Sequence, residues 1–307
     1  AEDIMKILSY FFFFSWFLVA QDSVSVQGEN GGTVKTVEIT TYDGNIFLGE
    51  IIDETEFDYI MKTNSGIEIK VPKARIKEKV DMVITEVSGE VYRPDPNKSM
   101  YLFAPSAFPI EHNKSYCRDF CLFFPSYNRG FTNSISVQAG AFVFPGMPIE
   151  EIPIVASGKY SFPAKGKFRF ATGMMFIKWP DWGSAQDSEN SDEGGITGSG
   201  FAFSTATAGD RFTHFSASLG WGYSYQNNTW DFSSDPIIVL GGNYRMTSSL
   251  ALVFEFWKPS EADINESPIM TAIRFIGRKI SVDFGGLYVL DMEGLPMPLM
   301  NFTYHMD

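Results

Sequence analysis

His214 and Ser216 lie two residues apart in RFTHFSASLGWGYSYQNN, residues 211–228, and Asn228 follows the serine by 12. On a strand, residues at i and i+2 share a face. An imidazole beside a hydroxyl, with an amide to orient the ring, could supply the base, the nucleophile and the orienting group of a hydrolase. The plainer reading is that these residues are polar filling inside a β-barrel. The strands that carry them decide between the two.

Three other groups could do chemistry. Glu255, Arg274 and Asp283 share the polar parity of three successive candidate strands, and a turn near 277–279 sets Arg274 nearly opposite Asp283. Such charges need partners in a low-dielectric interior, so an ion-pair ladder is expected. It would serve either as a selectivity filter or as the stiffening of a filled barrel. The loop 181–195 carries Asp181, Asp187, Glu189, Asp192 and Glu193, but lacks the spacing of a calcium loop and reads as a solvated surface. Cys117 and Cys121, four apart on an extended segment, are too distant to bridge and read as unpaired small hydrophobes. No zinc motif or phosphate-binding glycine loop is present, so no metal and no cofactor is expected.

The 307 residues carry a formal charge of −13, which argues against a nucleic-acid partner. Aromatic residues make up 16% of the chain, 29 of them Phe. Lys6, the apolar run from Ile7 and a small residue at Ala20 read as a secretory signal peptide over 1–20. Residues 21–33 are polar and Gly-rich and read as a disordered lead. No later stretch is long and apolar enough for a membrane-spanning helix, so an exported chain is soluble or crosses a membrane as a barrel.

A compact unit follows at 34–86. Turn signals at 43–45, 53–56 and 64–66 separate short β-type segments, and Val71-Pro72 ends the fourth. Five short strands in so few residues suggest a small barrel. The order of strand, Asp-Gly turn, Ser-Gly hairpin, short helical turn and last strand resembles the SH3-like or Sm-like barrels.

From residue 98 to 307 the texture changes to long alternating segments. Twelve strands are predicted, at 99–105, 116–128, 134–144, 151–162, 167–179, 196–207, 211–225, 236–246, 249–258, 268–276, 279–290 and 297–306. Short connections at 130–133, 163–166, 208–210, 247–248 and 277–278 interleave with longer ones at 106–115, 145–150, 180–195, 226–235, 259–267 and 291–296. Outer-membrane barrels sort short periplasmic turns from longer external loops in this way. Each strand has one apolar face and one small or polar face; the last sets Met300, Phe302 and Tyr304 against Asn301, Thr303 and His305. Aromatic rings near strand ends, Trp179, Trp182, Tyr223, Tyr225, Trp257, Tyr288 and Tyr304, suit interfacial girdles.

In architecture, residues 98–307 resemble a Gram-negative, porin-like outer-membrane β-barrel of twelve strands. The resemblance implies an all-β chain, a transmembrane antiparallel barrel preceded by a small periplasmic barrel domain. It implies contact with outer-membrane lipid, and a periplasmic protein or cell-wall partner for 34–86. His214-Phe215-Ser216 with Asn228 resembles the His-x-Ser pattern of the outer-membrane phospholipases, also twelve-stranded. That family would make His214 the base, Ser216 the nucleophile and Asn228 the orienting group. Alternation argues otherwise. Phe215, Ala217, Leu219 and Trp221 form the large apolar face, so His214 and Ser216 point into the lumen. They also stand near the 208–210 turn, on the periplasmic side, and Ala217-Ser218 replace the family's Asn-Gly. The expectation is a non-enzymatic barrel, structural or narrow-channel, whose small N-terminal domain binds a periplasmic partner or covers the barrel's inner mouth, with His214, Ser216, Asn301 and His305 as lumen polar residues.

Overall fold

The computed structural model describes residues 36–63, 65–84, 91–92, 95–180, 198–226, 229–260, 262–289, 291 and 295–306. The signal-peptide segment, the 21–33 lead, the acidic loop 181–195, Trp182 and Asn228 lie outside the described residues. The chain divides into two units, with the boundary between residues 94 and 95.

The first unit is an antiparallel sheet of β1 (Thr36–Thr41), β2 (Ile46–Glu54), β3 (Asp58–Thr63), β4 (Glu68–Pro72) and β5 (Ile76–Asp81). Its order is β4-β3-β2-β1-β5. A single 3-10 turn, Lys73–Arg75, joins the last two strands. Val37, Ile39, Met61 and Val71 are buried and pack with Phe47, Ile51, Tyr59, Ile69 and Ile76. Among the described residues β4 and β5 are the two edges, so the pairing is that of an open sheet. Two short strands, β6 (Val83–Ile84) and β7 (Val91–Tyr92), pair with each other.

The second unit carries β8 (Ser115–Phe120), β9 (Phe124–Gly130), β10 (Ile135–Ala141), β11 (Ile154–Ser161), β12 (Phe168–Lys178), β13 (Gly198–Gly209) and β14 (His214–Gln226). It continues with β15 (Thr229–Phe232), β16 (Ile237–Arg245), β17 (Leu250–Lys258), β18 (Pro268–Ile276), β19 (Ile280–Val289) and β20 (Met297–Met306). Each barrel strand pairs antiparallel with its neighbours, β13 pairs with β14, and β20 returns to β8. β15 extends β14 beyond the ring, so twelve of the 13 strands close the barrel. Closure leaves the twelve-stranded ring without an open edge, which a sheet in lipid requires.

The outside is apolar. Phe168, Phe170, Met174, Leu219, Leu252, Ile273, Phe275, Ile280, Phe284 and Phe302 are all exposed. A belt of this kind has no place in water and fits the acyl region of a bilayer. This is an all-β chain with a twelve-stranded transmembrane barrel. Among the described residues no helix is long and apolar enough to cross a membrane.

Two predicted strands are corrected. Segment 99–105 is not part of the wall; it lies inside the barrel. Segment 116–128 is two strands, β8 and β9, joined by a tight turn at 121–123. Cys121 and Leu122 hold φ of 55° and 64° there, a left-handed conformation that side chains disfavour. The Asn301 side chain accepts the Cys121 N–H at 3.1 Å and helps hold the turn. The two errors cancel in the strand count. They also move the loops: 106–115 is no external connection, and 121–123 is a short one on the long-loop side. Both ends of the barrel remain on the short-turn side. The wall is uneven, from 6 residues in β8 to 13 in β14.

Gly241 shows how closely the interior segment packs. A Cβ there would lie 2.5 Å from the Tyr101 ring. Gly241→Val should therefore cost about 1–3 kcal/mol by overpacking. Urea titration of the protein refolded into vesicles checks this; a change below about 0.5 kcal/mol would mean that the ring has room to move.

Candidate functional site

The lumen is occupied by the chain itself. Residues 95–110 enter at the short-turn end, fold back and leave at the same end. Met100 and Pro105 form a bridge across this inward hairpin, and the Tyr101 N–H donates to the Ala104 carbonyl at 2.9 Å. Tyr101, Leu102, Ala104, Ser106 and Ala107 are buried. Irregular backbone is tolerated at membrane depth only where protein satisfies its polar groups. Here the wall supplies those partners.

Glu255 on β17 holds the tip. One of its carboxylate oxygens accepts the N–H groups of Leu102, Phe103 and Ala104, each at 2.9 Å. The Trp257 indole donates to the other. Lys159 on β11 holds the two legs. Its ammonium donates to the carbonyls of Ser99, Ser106 and Phe108 at 3.0, 2.7 and 2.8 Å. Thr207 and Ser136 accept the N–H groups of Ala107 and Ile110 at 2.8 and 2.9 Å.

A guanidinium pair completes the set. Arg274 and Asp283 are register partners on β18 and β19, joined by two hydrogen bonds of 2.6 and 2.9 Å. Arg118 reaches the same carboxylate at 3.2 Å, as does the Asn301 amide. Both arginines also donate to the Tyr101 carbonyl, at 2.9 and 2.7 Å. Glu255 stands apart from this ion-paired group, because backbone N–H groups and an indole take its carboxylate. The Lys98 ammonium, hydrogen-bonded to the exposed Glu111, holds that carboxyl below its ordinary range.

The interior has two levels. Toward the long loops it is filled by apolar side chains: Leu102, Val239, Val253, Met270 and Leu299 form one cluster, and Phe124, Val155 and Met175 another. Phe103 links them through contacts with Phe120, Phe124 and Trp257. Trp257 thus faces inward and is not part of an outer girdle. Toward the short turns lie most of the charged and polar residues; Glu255 is the exception and sits in the apolar level at the hairpin tip.

His214 and Ser216 are buried in this lower level. The Ser216 hydroxyl is engaged by Tyr101 and Thr207, both at 2.6 Å. The His214 ring makes no hydrogen bond among the described residues and packs against Tyr101 and Phe108. A base must reach the nucleophile's proton, and no such contact is formed. His305 packs against Tyr116. Among the described residues no cluster of three His, Cys, Asp or Glu is placed to hold a metal. Ser216→Ala should leave phospholipid hydrolysis at background and cost about 1–2 kcal/mol through the orphaned Tyr101 hydroxyl. A lipid-release assay run beside a melting curve tests both halves, and a measurable activity that disappears with the serine would reverse the assignment.

Lys159 and Arg118 were missed by sequence reasoning. Lys159 sits in an otherwise small-residue inward row, Ser157, Lys159 and Ser161, and that lone cation was the available signal. No family model and no curated protein matches the sequence. A solved structure described as "Salmonella typhi OmpF complex with Daunomycin" is similar at 8% identity, with a TM-score of 0.32, over 89% of this chain and 95% of that one.

Proposed function

We propose that the chain is a non-enzymatic outer-membrane barrel kept closed by its own residues 95–110. It is a structural anchor that carries the N-terminal unit on the short-turn, periplasmic side. One observation carries this reading: Glu255 gathers three successive backbone N–H groups of the hairpin tip inside the wall. A side chain committed in this way cannot also line an open pore. The apolar level supports the same reading, since a hydrated path would have to cross tightly packed Leu, Val, Met and Phe side chains. The outer apolar belt would meet outer-membrane lipid. The N-terminal sheet would bind a periplasmic protein or a cell-wall component.

The intact protein in a planar lipid bilayer should give no unitary current. Replacing 97–108 by a Gly-Ser linker should raise the frequency of conducting events. Ohmic steps from the intact protein, of the same size as those from the linker variant, would make it a narrow channel instead.

A further inference from the structure

The barrel strands turn five cations inward, Arg118, Lys159, Arg169, Arg245 and Arg274, against two carboxylates, Glu255 and Asp283. This is a basic layer inside a chain whose formal charge is −13. Lys159, Arg169, Arg245 and Arg274 lie toward the short-turn ends of their strands, and Arg118, midway along the short β8, reaches the same Asp283 as Arg274.

The hairpin answers these charges mainly with dipoles; its one buried carboxylate, Asp95, pairs with Arg245 at 3.8 Å. Lys159 is met by three carbonyl oxygens and, among the described residues, by no carboxylate. Arg118 and Arg274 share Asp283 and the Tyr101 carbonyl. Arg169 lies over the Phe108 ring, 4.3 Å from its centroid. Arg118 Nε and Arg274 Nη1 are buried with hydrogen-bonding capacity unused among the described residues. Converging oxygens around an ammonium and two guanidinium groups imitate the oxygens of an anion.

We propose that this layer is a binding site for a small oxyanion, occupied by the hairpin's own carbonyls while residues 95–110 are in place and opened when they leave. This rests on the reading of the barrel as closed by that hairpin. The ligand class follows from the donors. Phosphate, sulfate or a carboxylate offers several charged oxygens to Lys159, Arg118 and Arg274. A cation would meet net positive charge.

Inorganic phosphate is the probe. Its binding would be measured by calorimetry on the full chain in detergent, on the chain with 97–108 replaced by a Gly-Ser linker, and on that variant with Lys159→Gln. The intact protein should bind none. The linker variant should bind with a Kd on the order of millimolar or tighter, and Lys159→Gln should weaken this roughly tenfold. Circular dichroism and the mobility of the unheated protein on a gel report folding. A folded linker variant that ignores phosphate, or whose binding is indifferent to Lys159→Gln, overturns the proposal. If the linker variant does not fold, Glu255→Gln loosens the same hairpin with the cations untouched. Phosphate uptake no greater than that of the intact protein then overturns it equally. A unitary current through the intact protein would strike at the closed-barrel reading alone, because the phosphate comparison is made between folded variants.

Discussion

Asp283→Ala should destabilise the barrel by about 3–5 kcal/mol. The size follows from what the carboxylate neutralises. Two buried guanidinium groups, on Arg274 and Arg118, converge on it, and Asn301 donates to it as well. Removing it leaves two cations in a low-dielectric interior with one backbone carbonyl between them. Asp283→Asn keeps the shape and an acceptor oxygen but not the charge, so it should recover little. Replacing Arg274 by Met together with Asp283→Leu removes a charge of each sign and should cost less than Asp283→Ala alone, although Arg118 is still unanswered. Urea titration in lipid vesicles measures the series. A loss under about 1 kcal/mol for Asp283→Ala would show that water reaches the site and screens it.

The second large effect is expected at Glu255. Alanine there orphans the N–H groups of Leu102, Phe103 and Ala104 at once and frees the Trp257 indole. An unsatisfied buried donor costs roughly 1–3 kcal/mol, and these three share one acceptor, so a total of about 2–4 kcal/mol is reasonable. The consequence should be local. Amide hydrogen exchange at 102–104 should speed up by roughly 30- to 900-fold, while the wall strands exchange as before. Glu255→Gln retains an acceptor and should show roughly half the loss. Uniform exchange across the barrel in Glu255→Ala would mean that the hairpin tip and the wall open as one unit.

Much of the wall was legible because a barrel in lipid is a binary object. Each strand has an oily face and an inner face, and period-2 alternation reports them directly, as in Leu250, Leu252 and Phe254 against Ala251, Val253 and Glu255. The same logic misread 99–105. Tyr101 and Phe103 alternate with Leu102 and Ala104, but both sides of that segment meet protein, so alternation there does not report a lipid face. The missed turn at 121–123 has no Gly, Asn or Asp at its left-handed positions, and tertiary contacts impose it. The lumen placement of His214 and Ser216 was readable from their strand. That Tyr101 would claim the serine was not, since the two lie 115 residues apart and local sequence carries no record of the pairing. The hairpin stayed hidden for the same reason. Its anchors, Glu255 and Lys159, belong to strands on distant stretches of chain, and neither has a neighbour in sequence that announces a partner.

The uneven wall has a consequence for the membrane around it. β8, β9 and β10 have 6, 7 and 7 residues, whereas β13 and β14 have 12 and 13. At about 3.4 Å per residue and a tilt near 40°, the short side is roughly 16–18 Å tall, against an apolar band of ~25 Å in typical barrels. Lipid matched to β8–β10 would shorten or tilt its chains, at fractions of a kcal/mol per Å of mismatch, whereas β13 and β14 are long enough to span the whole band. The strand lengths therefore predict a lateral gradient of bilayer thickness, thinnest beside β8–β10. A second barrel with a short side would find its least strained position against β8–β10, so the thin edge gives the surrounding lipid a directional pull without any contact between protein surfaces.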